Sequence, residues 1–226
     1  MNVLVACEES QTVCKAFREK GHNAFSCDIQ VCSGGHPEWH ILGDVLDILE
    51  PKYCGDPGGS KEIIFFTSES SFSLHSISHW DLIIAHPPCT YLTKASASRL
   101  FPCGDLNWDR YAKGLAAKEF FLRFLNCSCP FVCVENPIPL KIFNLPKSSC
   151  CIQPYEFGDP WVKKTYLWLK GLPPLQPTNI IYTNRLWVSA GSKKCKNIGF
   201  CRSQKMRSKS FPGIANAMSE QWGELI

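Results

Sequence analysis

Two short apolar runs, each stopped by a proline-containing motif, constrain the fold of this chain more than any other feature. The run 80–85 ends at His86-Pro87-Pro88-Cys89, and the run 131–134 ends at Glu135-Asn136-Pro137. Short runs that are apolar on both faces are typical of parallel strands covered by helices on both sides. A helical pattern over 110–126, with apolar residues from Ala112 to Phe124 mostly on one side, connects the two runs. The pattern therefore predicts an α/β fold built on a parallel sheet.

The N-terminal residues predict the opening unit of such a sheet. Strands are predicted at 2–6 and 23–27, with a helix between them that Gly21 closes. A further strand is predicted at 166–169 and a C-terminal helix at 213–222. This strand–helix–strand beginning is typical of doubly wound sheets.

The chain is expected to divide into a core and two smaller parts. Residues 1–182 are predicted to form the core, with 51–79 as an inserted loop or hairpin that is not part of it, because glycine, serine and proline cluster there. Residues 183–210 are basic and irregular, and residues 211–226 are expected to complete the core with the last helix.

Cysteine usage and the N-terminus predict the compartment. The 14 cysteines follow an N-terminus without the basic start and long apolar run of a signal peptide, which favours thiols in a reducing cytoplasm. No apolar run approaches the roughly 20 residues that span a bilayer. We therefore expect a cytoplasmic protein, in a host cell if a phage or virus encodes it, without a membrane or an obligate protein partner.

Charge is unevenly distributed along the chain. Residues 1–159 hold 13 Lys and Arg against 18 Asp and Glu, a net charge of −5, whereas residues 160–219 hold 11 Lys and Arg and no acid. Such a cationic block is typical of proteins that bind a phosphate-bearing polymer, and a solvated basic face is the alternative. Within it, Trp187, Arg202 and Arg207 are predicted to contact bases or phosphates.

Chemically capable residues are predicted to meet at one edge of the sheet. Asp28, Cys89 and Glu135 each follow a predicted strand, and ligands of open parallel sheets bind beyond the carboxyl ends of the strands. Cys89, held by two prolines, is a candidate nucleophile, and Glu135 is a candidate proton donor or acceptor. Asp28 is placed to accept hydrogen bonds from two ribose hydroxyls.

The chain resembles the cytosine-C5 DNA methyltransferases at these residues. DLIIAHPPCT and VCVENP look like the Pro-Cys loop and Glu-Asn dipeptide of that family's catalytic site, and FGDPWVKKTYLWL and RSKSFPGIANAM resemble its two later motifs. Small phage and prophage proteins described as DNA cytosine methyltransferase-like share CEESQ, HPPCTYL, ENP, QPYEFG and SFPGIA in the same order. The resemblance implies a Rossmann-like methyltransferase fold that uses S-adenosylmethionine, with a single sheet and helices on both faces, and DNA as the partner.

The family's chemistry carries over to two positions. Cys89 would add to C6 of cytosine, which makes C5 nucleophilic, and Glu135 would hydrogen-bond the base at N3 and at the exocyclic amine. C5 would then accept the methyl group, and the base would have to leave the helix stack to reach the pocket.

The binding residues come from the resemblance and from position. For the cofactor, the resemblance implies Ala6, Cys7, Glu8, Asp28, Asp44 and Pro87. For the substrate, the predicted residues are His86, Pro88, Asn136 and Lys163. The sequence departs from the family at three places: CEES replaces the glycine-rich turn after the first strand, Thr165 replaces an arginine, and Ile214 replaces an asparagine.

Three other interpretations fit the sequence. An amino-methyltransferase would use the HPPC loop and Tyr91 without needing a thiol, and a degenerate scaffold would only bind nucleic acid. A zinc site could combine Cys195 and Cys201 with Cys127 and Cys129 or with Cys150 and Cys151, although the spacing matches no regular pattern and we predict no metal.

Overall fold

The computed structural model describes residues 1–53, 60–68, 72–187 and 209–225. Its helices are α1 (Thr12–Glu19), α2 (Ala97–Leu100), α3 (Trp108–Leu125) and α4 (Pro212–Gly223). Its strands are β1 (Asn2–Ala6), β2 (Asn23–Asp28), β3 (His40–Leu42), β4 (Lys52–Tyr53), β5 (Lys61–Ser68), β6 (Phe72–Ile77), β7 (Leu82–Ala85), β8 (Phe131–Pro137), β9 (Cys150–Ile152), β10 (Trp161–Val162), β11 (Thr165–Lys170) and β12 (Leu186–Trp187). None of the helices in these ranges is both long and apolar enough to cross a lipid bilayer.

A seven-stranded sheet in the order β3-β2-β1-β7-β8-β11-β9 forms the centre of this mixed α/β fold. Neighbouring strands from β3 to β8 are parallel, and β11 runs antiparallel to both β8 and β9. In chain order the sheet reads 3-2-1-4-5-7-6. The strand order reverses between β1 and β7, which is the place where doubly wound sheets bind their ligands.

Helices cover both faces of the central sheet. On one face, α1 and α4 bury Phe17 and Trp222 against the alternate β1 and β7 residues Val3, Val5, Leu82 and Ile84. On the other face, α3 buries Phe121 and Phe124 against Leu4, Ile83 and Val132. This alternation follows from the two-residue period of a strand, which sends successive side chains to opposite faces.

The predicted insert 51–79 contributes to the core, so the expectation that it lies outside is wrong. Strands β5 and β6 pair as an antiparallel hairpin, and β4, β5 and β6 form a second sheet. Ile63 and Phe65 are buried, and the Phe65 ring lies 4.9 Å from that of Phe25 and 5.5 Å from that of Trp80. The hairpin thus packs on the α3 face of the sheet, between β3 and β7 in the chain, where a crossover helix is usual.

The predicted apolar side of the helix is also wrong. In α3 the buried residues are Gly114, Phe121 and Phe124, whereas Leu115 is 40% exposed. A Cβ atom on Gly114 would lie 2.1 Å from Cζ of Phe143, so glycine is what lets the helix approach this ring. Because apolar residues of α3 occur on all sides of the helix, their spacing alone does not identify the face that packs against the sheet.

A small ribbon lies outside the central sheet. Strands β10 and β12 pair in parallel, with Trp161 opposite Leu186 and Val162 opposite Trp187. The described residues therefore form three sheets where the sequence predicts a single one. Since β10 precedes β11 by only two residues, the ribbon is attached at the edge of the central sheet where β8 ends.

Candidate active site at the sheet edge

The turn after β1 begins the candidate site. Cys7 has a φ of 59°, so it adopts the left-handed conformation that a glycine-rich turn would otherwise supply. The main-chain N–H of Glu8 then donates to the carbonyl of Cys27 at 3.2 Å, which ties the turn to the end of β2. The chain can thus form a tight turn here without the expected glycines.

The carboxylate of Glu8 caps helix α1. Its Oε1 accepts a hydrogen bond from the N–H of Val13 at 2.7 Å, and its Oε2 accepts one from the N–H of Cys14 at 3.2 Å. Burial raises the pKa of Glu8, while His86 and these N–H donors oppose the rise. Because a helix N-terminus binds anions, this side chain fills the position that a phosphate of a nucleotide would otherwise occupy. Since the Glu8 side chain is occupied, the predicted contact of Glu8 with the cofactor would have to come from its main chain.

Acidic side chains follow β2 and β3 close to Cys7. Burial, and then the charges of Asp28, Cys27 and Asp44, raise the pKa of the Cys7 thiol strongly. Asp28 accepts a hydrogen bond from the N–H of Gln30 at 2.9 Å, and Asp44 accepts one from the N–H of Leu46 at 3.0 Å. The structure therefore brings together Cys7, Asp28 and Asp44, three of the residues predicted to bind the cofactor.

The Pro-Pro-Cys loop leaves β7 beside the turn after β1. The N–H of His86 donates to the carbonyl of Ala6 at 2.9 Å. After it, Pro87 is buried, Pro88 is exposed and Cys89 is half-buried. The Cys89 carbonyl accepts hydrogen bonds from two residues of the following turn, the N–H groups of Leu92 and Thr93.

Arg110 fixes this loop from helix α3. Its guanidinium donates to the carbonyl of Thr90 at 3.0 Å and lies 4.8 Å from the centre of the Tyr91 ring. Sequence analysis did not single out Arg110. Its position one turn into a helix capped by Asn107 gives no signal of the distant loop that it contacts.

The loops after β7 and β8 are held together by main-chain hydrogen bonds. The N–H of Lys94 donates to the carbonyl of Ile138 at 2.8 Å, and the N–H of Leu140 donates to the carbonyl of Leu92 at 2.7 Å. The Cys89 loop is therefore fastened to the segment that directly follows the Glu-Asn-Pro motif.

That motif lies within β8 and not beyond it, contrary to prediction. Strand β8 extends to Pro137 because Thr165 and Tyr166 of β11 pair with Pro137 and Asn136. Successive strand residues face opposite sides, so Glu135 and Asn136 diverge. Asn136 is fully buried and its Nδ2 donates to the carbonyl of Pro137 at 2.7 Å, which does not support its predicted substrate contact.

Glu135 and His86 form a nearly buried pair. Nδ1 of His86 lies 3.0 Å from Oε2 of Glu135, and the two side chains are 10% and 13% exposed. Burial alone would raise the pKa of Glu135, but Lys163 and His86 lower it below its usual value. The carboxylate is therefore held in its ionised form at neutral pH. Nε2 of His86 is buried without a hydrogen-bond partner among the described residues.

A small pocket opens beside this pair. It has about 280 Å³ of empty space, and its apolar wall consists of Ile152 of β9, Phe211 before α4, and Ile214 and Met218 of α4. The nitrogen of Lys163 lies 5.6 Å from the centre of the Phe211 ring, which is part of the same wall. Thr165 and Ile214, two of the three places where the sequence differs from the motifs that it resembles, also line the pocket, so a hydroxyl and an apolar group stand where polar groups were expected. Cys89 is not among the described residues that line this pocket.

Strands β10 and β12 and the segments beside them carry exposed aromatic and cationic side chains. Tyr182 and Trp187 are 77% and 51% exposed, and Lys164 is exposed as well. The Arg185 guanidinium lies 3.7 Å from the centre of the Tyr155 ring. Arg202 and Arg207, also predicted to contact the substrate, lie outside the described residues.

The described ranges contain no candidate metal site. There, no group of three or more His, Cys, Asp and Glu side chains could hold an ion. Cys127 and Cys129 are buried at the start of β8, whereas Cys195 and Cys201 lie outside the described residues.

The similarity of this chain to known proteins is confined to solved structures. No protein-family profile and no curated protein sequence matches the chain. Among solved structures, the chain is similar to a candidate DNA modification methyltransferase encoded within a prophage of E. coli, with a TM-score of 0.40 and 12% sequence identity. The match covers 83% of this chain and 53% of that protein, so the chain spans about half the length of its structural neighbour.

Proposed function

We propose that the protein transfers the methyl group of S-adenosylmethionine to C5 of a cytosine in DNA. The observation that carries this proposal is the convergence at one switch point of an acid-lined turn after β1 and a Pro-Pro-Cys loop fastened to the strand of Glu135. The order 3-2-1-4-5-7-6 places this switch point between β1 and β7, where doubly wound sheets bind their ligands. The motif resemblance supports the same activity.

The cofactor residues fit S-adenosylmethionine better than a dinucleotide. The Glu8 carboxylate occupies the helix N-terminus that binds the pyrophosphate in dinucleotide-binding folds, so a phosphate there would meet a buried like charge. Asp28 and Asp44 would accept hydrogen bonds from the ribose hydroxyls and the adenine amine. When bound, S-adenosylmethionine supplies an electrophilic methyl group. The backbone of Cys7 and Glu8, together with Pro87, would line its path to the base.

Cys89 and Glu135 would activate the base. The Cys89 thiolate adds to C6 of cytosine, and the electron pair of the C5–C6 double bond shifts toward C5 and N3. Glu135 would hydrogen-bond the base at N3 through a shared proton and accept from the exocyclic amine, and Pro88 would contact the base beside the loop. After methylation, loss of the proton on C5 and departure of the sulfur restore the aromatic ring. The cytosine must leave the base stack to reach both residues.

DNA would be held by residues 160–219, the part of the chain that has 11 Lys and Arg and no Asp or Glu. Exposed aromatic rings stack on unpaired bases, and lysine and arginine neutralise phosphates. Trp187 on β12, Tyr182 before it and Lys164 after β10 supply both kinds of exposed group. We propose that these residues, with Lys163 at the pocket, guide an unpaired strand to Glu135.

A second candidate, methyl transfer to an exocyclic amine, is favoured by one observation. Cys89 is not among the described residues that line the pocket at Glu135. An amino-methyltransferase needs no thiol, because the carbonyls of the loop after β7 can accept hydrogen bonds from the amine. This alternative keeps the same cofactor residues and changes only the role of Cys89.

One experiment separates these functions. The protein is incubated with labelled S-adenosylmethionine and mixed single- and double-stranded DNA, and the nucleosides are identified by mass spectrometry. We expect 5-methylcytosine, its loss in Cys89→Ser, and its retention in Cys103→Ser, which changes an exposed cysteine that follows α2. A methylated amine that persists in Cys89→Ser would select the second candidate. No product, combined with no heat of S-adenosylmethionine binding in calorimetry, would overturn both.

A further inference from the structure

The pair of His86 and Glu135 lies where the base would need a proton. In the proposed reaction the carboxyl must give a proton, or share one, with N3 of the base. The charge of Lys163 and the hydrogen bond from His86 instead lower the pKa of Glu135 against the effect of burial, so its carboxyl is ionised, and its side chain is only 13% exposed. A carboxylate in this setting needs a dedicated donor.

We infer that His86 is a proton relay that delivers a proton from the pocket to Glu135. The inference rests on the proposed function and assigns His86 a role beyond direct contact with the substrate. Its two ring nitrogens have different surroundings: Nδ1 is 3.0 Å from Oε2 of Glu135, whereas Nε2 is buried without a partner among the described residues. An ionised Glu135 can only accept, so Nδ1 carries the proton and Nε2 presents a lone pair.

The proton passes from water to Glu135 through the two nitrogens of His86. A water in the pocket gives a proton to Nε2, the Nδ1–H bond breaks, and its proton forms an O–H bond with Oε2 of Glu135. His86 remains neutral with its proton on Nε2, and Glu135 becomes a carboxylic acid. That acid gives its proton to N3 as the thiolate adds to C6, so Glu135 is again ionised. The hydroxide left in the pocket takes up the proton that C5 loses after methylation and becomes water again. Exchange with water returns the proton of His86 to Nδ1.

The charged groups around the pair favour this arrangement. Burial raises the pKa of Glu8, in the turn after β1, and His86 opposes that rise, so a second buried carboxyl group lies within electrostatic reach of the ring. Lys163 faces Glu135 from the segment before β11, and Cys133, buried on β8, has its pKa raised in part by Glu135. The ring therefore lies between the carboxyl groups of Glu8 and Glu135.

The first test measures which nitrogen of His86 carries its proton. Nitrogen-15 NMR of the histidine rings distinguishes the two tautomers, and it requires no activity. We expect the proton on Nδ1 in the wild type and a shift toward Nε2 in Glu135→Ala. A proton on Nε2 in the wild type at neutral pH would overturn the inference, whatever the protein methylates.

The second test measures methyl transfer. Asn can donate to Glu135 from nearly the position of Nδ1 but cannot pass a proton, so His86→Asn should lower the transfer rate about 10²–10⁴-fold while substrate binding changes little. The matched control is His79→Asn, which removes a histidine paired with Asp81 at 3.0 Å near the opposite end of β7 and should leave the rate unchanged. A rate in His86→Asn within about threefold of the wild type, with an unchanged pH profile, would refute the relay.

Chemical rescue separates proton transfer from a structural role. In His86→Ala, added imidazole should restore part of the rate in proportion to its concentration. Pyrazole fills similar space but cannot hand a proton across its ring, so it should not rescue. Equal rescue by both would show that His86 only fills space. A wild-type protein without methyl product would count against the proposed function alone, and the NMR result would still decide the state of the pair.

Discussion

The cap that Glu8 forms on α1 can be tested by removing its carboxylate. In Glu8→Ala, the N–H groups of Val13 and Cys14 lose their acceptors at 2.7 and 3.2 Å. Both residues are fully buried, so water cannot replace the lost oxygens. Each orphaned donor costs about 1–3 kcal/mol, and release from burying a charge returns part of that sum. We therefore expect the free energy of unfolding to fall by about 2–4 kcal/mol.

Urea unfolding followed by circular dichroism measures this loss. Glu19→Ala is the matched control, because Glu19 is exposed at the C-terminal end of the same helix, where the change should stay within about 0.5 kcal/mol. If Glu8→Ala unfolds at the wild-type urea concentration, the carboxylate does not cap the helix. The argument against a pyrophosphate at this place would then fail as well.

The pH dependence of the same site has a definite sign. Burial raises the pKa of Glu8 above its ordinary value of 4.5 in the folded protein. Its contribution to stability is therefore complete below 4.5 and is lost as the pH rises through the folded-state pKa. Relative to Glu8→Gln, the wild type should gain stability as the pH falls from 7 toward 4.5. A difference between the two that does not vary with pH would refute the assigned direction.

Three further perturbations test other parts of the structure. Phe65→Ala should lower the free energy of unfolding by about 3–5 kcal/mol in urea titrations, because this ring of the insert is buried in the core; a loss below 1 kcal/mol would show that the hairpin is peripheral. Lys163→Met should raise the pKa of Glu135, so the stability that its ionised form contributes above its unfolded pKa should be lost at a higher pH than in the wild type, as urea midpoints across pH 4–7 would show. Trp187→Ala should weaken binding of single-stranded DNA by about 1–3 kcal/mol in fluorescence anisotropy, while Trp108→Ala, which removes a 72% exposed indole on α3, should not; equal effects would exclude the ribbon as the contact surface.

The sequence alone determined the backbone of the central sheet and its chemical edge. Continuous apolar runs predicted β7 and β8, and the first strand–helix–strand unit predicted β1, α1 and β2 within one or two residues. These predictions depend on local patterns, since a strand buried on both faces is apolar throughout. The motifs after the strands also indicated that Asp28 and Glu135 would lie at one edge, because parallel strands end together.

Tertiary structure decided which groups meet at that edge and what each one contacts. Glu8 caps a helix because the turn places its side chain at the N-terminus of α1, and no local pattern indicated this. The pairing of His86 with Glu135 joins positions 49 residues apart, and it exists because β7 and β8 are neighbours in the sheet. Similarly, β11 pairs with the end of β8, extends it through the Glu-Asn-Pro motif and buries Asn136. Such contacts depend on strand order and on the face that each side chain takes, and both follow from packing over the whole chain and not from sequence spacing.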